Sequence, residues 1–176
     1  MLRDHVGIID ISNFGNYVIT GPGAQGWLDA LVANHVPGEV GRSCLTPLIG
    51  MRGGVAGDFT VTKTGDDSFM MIGSGMAERY HQRFFDMVPM PDGTSMEVAT
   101  PRTAGFNVAG PTSRAMLSTL TDADLSNEGW RFMRSRTITV AGVECLAIRV
   151  SFTGDLGWEL HCAESDQVAL YTALVE

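Results

Sequence analysis

The eight residues GNYVITGP, at positions 15–22, combine a strand-like run with a Gly-Pro turn, and a helical pattern of apolar residues follows them. The segment GFNVAGP, at positions 105–111, repeats this arrangement, and a second apolar helical pattern follows it. The glycine of the turn and two leucines of the helix recur at one constant offset of 89 residues. Proline suits the first position of a helix because its missing N–H costs nothing there. The chain is therefore predicted to be an internal duplication of a strand, a turn and a helix.

Working outward, each copy continues with a predicted β-hairpin and then a predicted helix. The hairpins pair 58–64 with 68–72, and 137–141 with 144–151; the helices cover 77–87 and 165–176. This pattern predicts an α+β fold of duplicated ββα-type lobes with antiparallel sheets. We expect the first lobe to span residues 1–90 and the second 91–176, with the turn-rich segment at 89–93 as the seam.

Composition limits the possible partners. The chain has 176 residues, 44% of them hydrophobic, and a net charge of −8 without a run of Lys or Arg. We therefore expect neither nucleic-acid binding nor docking on an anionic membrane.

Cys44, Cys145 and Cys162 lack metal-site spacing and fit reduced thiols, so a cytoplasmic location is expected. The chain begins in a strand-like run and stops inside a helix, so we expect it to be part of a longer protein.

A glycine-rich loop at 21–26 literally fits the dinucleotide-binding pattern G-x-G-x-x-G. The second copy performs the same strand-to-helix turn with GPTSRA at 110–115, which lacks the second and third glycines. No acidic residue lies about 20 positions further on at a strand end, as a ribose-binding carboxylate would. The extra glycines are therefore interpreted as incidental.

Two segments could carry chemistry. In the first, RGGVAGDFTV at 52–61, a glycine-rich turn delivers Asp58 to a strand. In the second, RVSFTGDLGWEL at 149–160, strand alternation puts Trp158 and Leu160 on one face and Glu159 on the other. By spacing alone, an ordinary turn aspartate and a solvated glutamate explain these residues better than a site does.

Metal and nucleophile sites have weaker support. The four histidines show neither HxxxH nor HExxH spacing, so no metal site is predicted. His81, on a predicted helix, is typical of a surface or hydrogen-bonded histidine rather than a ligand. His161 and Cys162 are sequence neighbours and point opposite ways on a strand, which argues against a Cys–His dyad.

At these residues the sequence resembles the aminomethyltransferase family of the glycine-cleavage T-protein, also found at the C-terminus of dimethylglycine and sarcosine dehydrogenases. The match runs along essentially the whole chain in the family's order. It is carried by IDISNFG at 9–15, GP at 21–22 with WL at 27–28, GGVAGD at 53–58, and FTGDLGWE at 152–159.

The resemblance implies a partial T-protein folate-binding domain whose cofactor is tetrahydrofolate. It makes Asp58 the catalytic carboxylate and Glu159 the carboxylate that binds the pterin, and it places Leu45, Gly73 and Phe152 at the folate site. The family often has tyrosine at the positions of Leu45 and Phe152, so two possible hydrogen bonds are absent here. We expect Asp58 and Glu159 to converge on one cavity.

Several short strings, among them GDFTV at 57–61 and GSG at 73–75, are similar to the dehydrogenase-fused branch. There, an FAD domain outside this chain oxidises a small N-methyl amine, and the folate module captures the one-carbon unit as 5,10-methylenetetrahydrofolate. Three alternatives stay open: a non-catalytic folate-binding module, a folate-dependent sulfonium demethylase, and a structural fragment that binds nothing by itself.

Overall fold

The computed structural model describes residues 3–176, which form ten strands and four α-helices. The strands are β1 (Gly7–Asp10), β2 (Gly15–Thr20), β3 (Ser43–Ile49), β4 (Val55–Gly65), β5 (Ser68–Gly73), β6 (Ser95–Val98), β7 (Thr103–Ala109), β8 (Ser135–Val140), β9 (Val143–Ile148) and β10 (Gly157–Ala163). The helices are α1 (Ala24–Leu31), α2 (Glu78–Phe85), α3 (Ser113–Leu117) and α4 (Gln167–Val175). Short 3-10 turns, Gly75–Ala77 and Glu164–Asp166, precede α2 and α4.

The described residues divide into two compact units, each built on a five-stranded antiparallel sheet. One unit, here called the Asp58 unit, comprises Asn13–Pro101 and has the strand order β3-β4-β5-β2-β6. The other, the Glu159 unit, comprises the segment that ends at Ser12 together with Arg102–Glu176, and has the order β1-β7-β10-β9-β8. The predicted α+β class with antiparallel sheets is confirmed.

The duplication extends well beyond the motifs that revealed it. The offset of 89 residues relates the start of β5 to that of β10, the 3-10 turn before α2 to the one before α4, and the start of α2 to that of α4. It also relates the pairing of β2 with β5 to that of β7 with β10, since Val18 faces Met70 and Asn107 faces Glu159. The two glycines of the Gly-Pro turns share an unusual backbone, with φ of 116° at Gly21 and 122° at Gly110.

The edge strands do not follow chain order. β1 precedes β2 in sequence but pairs with β7, whereas β6 precedes β7 but pairs with β2. Each copy thus contributes its first strand to the sheet of the other copy. For this reason the chain passes between units after Ser12 and after Pro101, rather than once near residue 90 as the 1–90 and 91–176 division assumed. Hydrogen bonding across strands decides this division, and periodicity within a strand does not reveal it.

Each unit encloses its own apolar core on one face of its sheet. The Asp58 unit packs Tyr17, Phe59 and Phe85 in edge-to-face and tilted contacts with centroids 5.1–6.3 Å apart. The Glu159 unit buries Trp130 against Trp158, with ring centroids 6.4 Å apart. Aromatic pairs at such separations contribute about 0.5–1.5 kcal/mol beyond the area they bury.

Both predicted hairpins are present, and the second shows why its turn is tight. Ala141 and Gly142 both have positive φ, 46° and 86°, as a two-residue turn with the twist of its flanking strands requires. All three cysteines are free thiols, as expected. Among residues 3–176, no helix combines the length and apolar character that crossing a membrane would need.

The turn glycines allow a stability test with a matched control. Gly21 has a positive φ, and a Cβ there would lie 2.1 Å from the carbonyl oxygen of Gly93, whereas a Cβ at Gly26 in α1 would contact nothing within 4 Å. Gly21→Ala should destabilise the protein by more than about 1 kcal/mol, because alanine cannot adopt this backbone without strain. Gly26→Ala should stabilise it by about 0.5–1 kcal/mol through helix propensity. Urea unfolding midpoints measure both, and equal midpoints would contradict the assignment of this turn.

Candidate functional site

Asp58 lies near the start of β4, directly opposite Pro47 of β3. The next residue, Phe59, points into the core, so alternation turns the exposed carboxylate of Asp58 to the other face of the sheet. The preceding turn contains Gly53, whose φ of 79° suits glycine, and this turn brings the chain into the strand. The glycine-rich segment therefore presents one carboxylate to solvent beside the edge strand β3. The sequence placed Asp58 at the first residue of a strand, whereas β4 begins three residues earlier, at Val55.

Three of the predicted site residues lie on neighbouring strands of the Asp58 unit. Leu45 of β3 faces Thr60 and is 59% exposed, and it shares the face of Asp58. Gly73 of β5 lies next to Asp58, since a Cβ there would be 3.3 Å from the Asp58 carbonyl oxygen. The same Cβ would be 2.5 Å from the ring of Phe59, so packing alone requires glycine at position 73.

His81 is a neighbour of Asp58 that the sequence analysis did not assign to the site. It is 1% exposed, and its Nδ1 lies 3.4 Å from the hydroxyl of Tyr17. A Cβ at Gly57 would come within 2.7 Å of the His81 Nε2, so glycine beside Asp58 leaves room for the imidazole. The signal that could have found His81 is its spacing of four from Phe85 on α2, since both side chains are buried.

The charge state of His81 follows from its surroundings. Burial lowers the pKa of His81, while the negative charges of Asp58 and Glu78 oppose that shift. Glu78 lies in the first turn of α2, where the helix dipole favours a negative charge, and it accepts a hydrogen bond from the Thr100 hydroxyl. Burial therefore favours the uncharged imidazole, whose ring packs against Phe59 with centroids 4.7 Å apart.

In the Glu159 unit, the predicted alternation along β10 is confirmed. Trp158 and Leu160 are fully buried in the core, and Glu159 occupies the opposite face. Glu159 is nevertheless not a solvated side chain, because it is only 16% exposed. Its Oε2 lies 3.4 Å from Nε2 of the buried His161, and Asn107 of β7 lies directly opposite it.

Phe152 belongs to the loop between β9 and β10. Its side chain is 79% exposed, and the loop is held by the Ser151 hydroxyl, which donates to the carbonyl oxygen of Asp155. Gly154 in this loop has a φ of 78°, a value that glycine adopts without strain. The exposed ring of Phe152 is available to contact a ligand, and its role at a folate site stays a prediction.

Sequence reasoning thus identified Glu159 but missed the two polar residues beside it, Asn107 and His161. Asp58, Leu45 and Gly73 lie in the Asp58 unit, and Glu159 and Phe152 lie in the Glu159 unit. Their convergence on one cavity therefore stays a prediction.

The glycine-rich loop at 21–26 is filled by the chain itself. The Gly23 N–H donates to the Thr94 hydroxyl at 3.1 Å, and the space beside Gly21 is taken by the carbonyl of Gly93. A backbone whose N–H group is already bonded offers a phosphate no cradle. This agrees with the interpretation that the extra glycines are incidental.

The mixed α/β fold of two antiparallel sheets matches that of an aminomethyltransferase of known structure. The chain has a TM-score of 0.84 with the aminomethyltransferase T of the glycine cleavage system from Bartonella henselae, at 20% identity, covering 99% of this chain and 46% of that one. It is 33% identical over 176 residues to the mitochondrial dimethylglycine dehydrogenase of Rattus norvegicus. It is 32% identical over 190 residues to an aminomethyltransferase of Streptomyces avermitilis.

The model of the GCVT N-terminal domain matches residues 1–176, and the chain belongs to that family. The alignments cover 99% of this chain but only 20% of the rat dehydrogenase and 47% of the Streptomyces enzyme. The chain therefore spans between a fifth and a half of the length of these relatives.

The buried histidine predicts a pH dependence of stability. Since the folded chain lowers the pKa of His81, the unfolded chain binds a proton there more readily once the pH falls below about 6.5. The free energy of unfolding should be fully developed above that pH and should decline as the pH falls toward the folded-state pKa. Urea denaturation between pH 7.5 and pH 5 measures the decline.

Two variants separate this effect from other titrations. His81→Phe cannot titrate and should show a flatter decline than the wild type. His5→Gln removes an exposed histidine and should keep the wild-type profile. An unchanged profile in His81→Phe would show that His81 does not cause the decline.

Proposed function

We propose that this chain is a tetrahydrofolate-binding domain that transfers a one-carbon unit to give 5,10-methylenetetrahydrofolate, as the folate half of a dimethylglycine or sarcosine dehydrogenase. The family membership and the similarity to a dimethylglycine dehydrogenase support this proposal. The observation that carries it is the position of Glu159, a largely buried carboxylate on the sheet face opposite the core.

Glu159 is suited to bind the pterin ring. A pterin presents a ring N–H and an exocyclic amino group side by side, and a carboxylate can accept both hydrogen bonds. Charge-assisted bonds of this kind are roughly twice as strong as bonds between neutral groups. His161, at 3.4 Å, restrains one oxygen of the carboxylate, so less conformational freedom is lost when a ligand binds.

Asp58 is suited to the chemistry of transfer. When bound, tetrahydrofolate supplies an amine nitrogen that accepts the one-carbon unit. A carboxylate close to that nitrogen stabilises positive charge and can hold a proton. General acid–base catalysis of this kind typically increases the rate about 10²–10⁴-fold. The exposure of Asp58 leaves its oxygens accessible to a substrate.

The partners follow from the same proposal. The one-carbon donor would derive from a small N-methyl amine, oxidised by an FAD domain that lies outside this chain. The net charge of −8 gives no support for nucleic acid as a partner. The cytoplasmic location expected from the sequence stays a prediction.

Separate variants of the two carboxylates test the division of roles. Asp58→Asn should abolish the acceleration of methylenetetrahydrofolate formation over the uncatalysed condensation of tetrahydrofolate with formaldehyde, yet bind tetrahydrofolate with nearly wild-type affinity. Glu159→Gln should weaken binding itself, since the amide can accept only one of the two hydrogen bonds. Asp67→Asn, in the exposed turn after β4, is the control and should match the wild type in both assays.

Turnover is measured by product formation, and binding by anaerobic calorimetry with tetrahydrofolate. Wild-type turnover in Asp58→Asn would overturn the catalytic role of Asp58. The absence of tetrahydrofolate binding in the wild type would overturn the proposed function as a whole.

A further inference from the structure

Asn107 lies within the sheet of the Glu159 unit, on β7 between the edge strand β1 and the central strand β10. It is 0% exposed, and neither its Oδ1 nor its Nδ2 has a hydrogen-bond partner among the described residues. Its sequence neighbours Phe106 and Val108 belong to the core, so Asn107 points to the other face of the sheet. A complete carboxamide is therefore buried there without a hydrogen bond from any residue in the range 3–176.

Such an arrangement is costly for the free protein. Burying an amide without a hydrogen bond forfeits its bonds to water, and buried side-chain polar atoms in folded proteins are paired in the large majority of cases. By contrast, Asn16 also has a buried oxygen without a partner, but its Nδ2 donates to the carbonyl of Phe14. Asn107 has neither bond, so the packing of the described chain gives it no polar role.

The duplication supplies an internal comparison. Asn107 and Glu159 face each other on β7 and β10, and the residues 89 positions earlier, Val18 and Met70, face each other on β2 and β5. His161 likewise corresponds to Ile72. The same backbone arrangement therefore accommodates apolar side chains at all three positions. The fold does not require polar residues there, and their presence in the Glu159 unit needs another cause.

The three polar residues form one cluster on one face of the sheet. Residues that face each other across an antiparallel pair point to the same side, so the Asn107 amide and the Glu159 carboxylate are neighbours. His161 follows Glu159 by two positions and bonds it from the same side. The cluster thus presents an acceptor-only carboxylate beside an amide with one acceptor and one donor group.

We propose that the Asn107 side chain is a second recognition group for the pterin ring, beside Glu159. This inference rests on the proposed function. If Glu159 accepts the ring N–H and the exocyclic amine, then each ring edge that flanks those groups carries one acceptor atom and one N–H in tetrahydrofolate. A carboxamide is complementary to such an edge, whereas a second carboxylate or an ammonium group is not. The unsatisfied amide is thus prepared for a ligand that completes its hydrogen bonds.

Replacement by leucine tests this proposal with two readouts. Asn107→Leu removes an unpaired buried polar group, so the ligand-free protein should be at least as stable as the wild type. The same change should weaken tetrahydrofolate binding by about tenfold or more, because up to two hydrogen bonds are lost. Asn107→Val, which introduces the residue found at position 18, should behave alike. Thr137→Val, at an exposed position of β8 on the same face, is the control and should leave affinity unchanged.

Urea unfolding without ligand measures the stability of each variant. Anaerobic calorimetry with tetrahydrofolate measures affinity under conditions in which every variant is folded. Wild-type affinity in both Asn107 variants, with binding by the wild type intact, would overturn this role and leave the proposed function standing. Loss of stability or failure to fold in both variants would show that Asn107 is structural and would also overturn it. If the wild type does not bind tetrahydrofolate, the proposed function fails and this inference fails with it.

Discussion

The rest of the structure depends on one constraint, an antiparallel strand pair in each copy. In each pair, the strand that leads into the Gly-Pro turn lies beside the strand that comes before the last helix of that copy. β2 pairs with β5 and β7 pairs with β10, in registers related by the same 89 residues. Because side chains alternate along a strand, a register fixed by backbone hydrogen bonds also fixes which residues leave the core. The face that carries Glu159, and the apolar face behind it, are both consequences of that register.

A duplicated scaffold can keep its core in both copies while the other face of each sheet diverges. In the Asp58 unit, Val18, Met70 and Ile72 occupy these positions on β2 and β5, and Asp58, the carboxylate proposed for catalysis, lies near the start of β4. In the Glu159 unit, the equivalent positions hold polar side chains. The apolar side chains that stabilise each unit and the polar side chains proposed for function thus lie on opposite faces of a sheet. A substitution at the polar positions therefore leaves the core contacts intact.

Much of the fold and part of the candidate site could be predicted from the sequence, because the signals for them are local. The Gly-Pro turns, both hairpins and the alternation that separates Glu159 from Trp158 each depend on residues close together in the chain. Strands β3 and β6 gave no prediction, because neither has a repeated motif and β6 is only four residues long. The spacing of His81 from Phe85 could have indicated a buried histidine on α2. Neither it nor Asn107 could be assigned to a site, however, since the role of a buried polar residue depends on what surrounds it.

The sequence by itself determined the duplication, the secondary structure near each glycine and the two carboxylates that the family resemblance identifies, because these are properties of neighbouring residues. Only the tertiary structure decided which sheet receives each edge strand, and which polar side chains are buried without partners. Those outcomes depend on hydrogen bonds between strands far apart in the chain, as between β1 and β7, and on the exclusion of water from Asn107. Neither the pairing of distant strands nor the burial of a particular side chain is encoded in the spacing of residues along the chain.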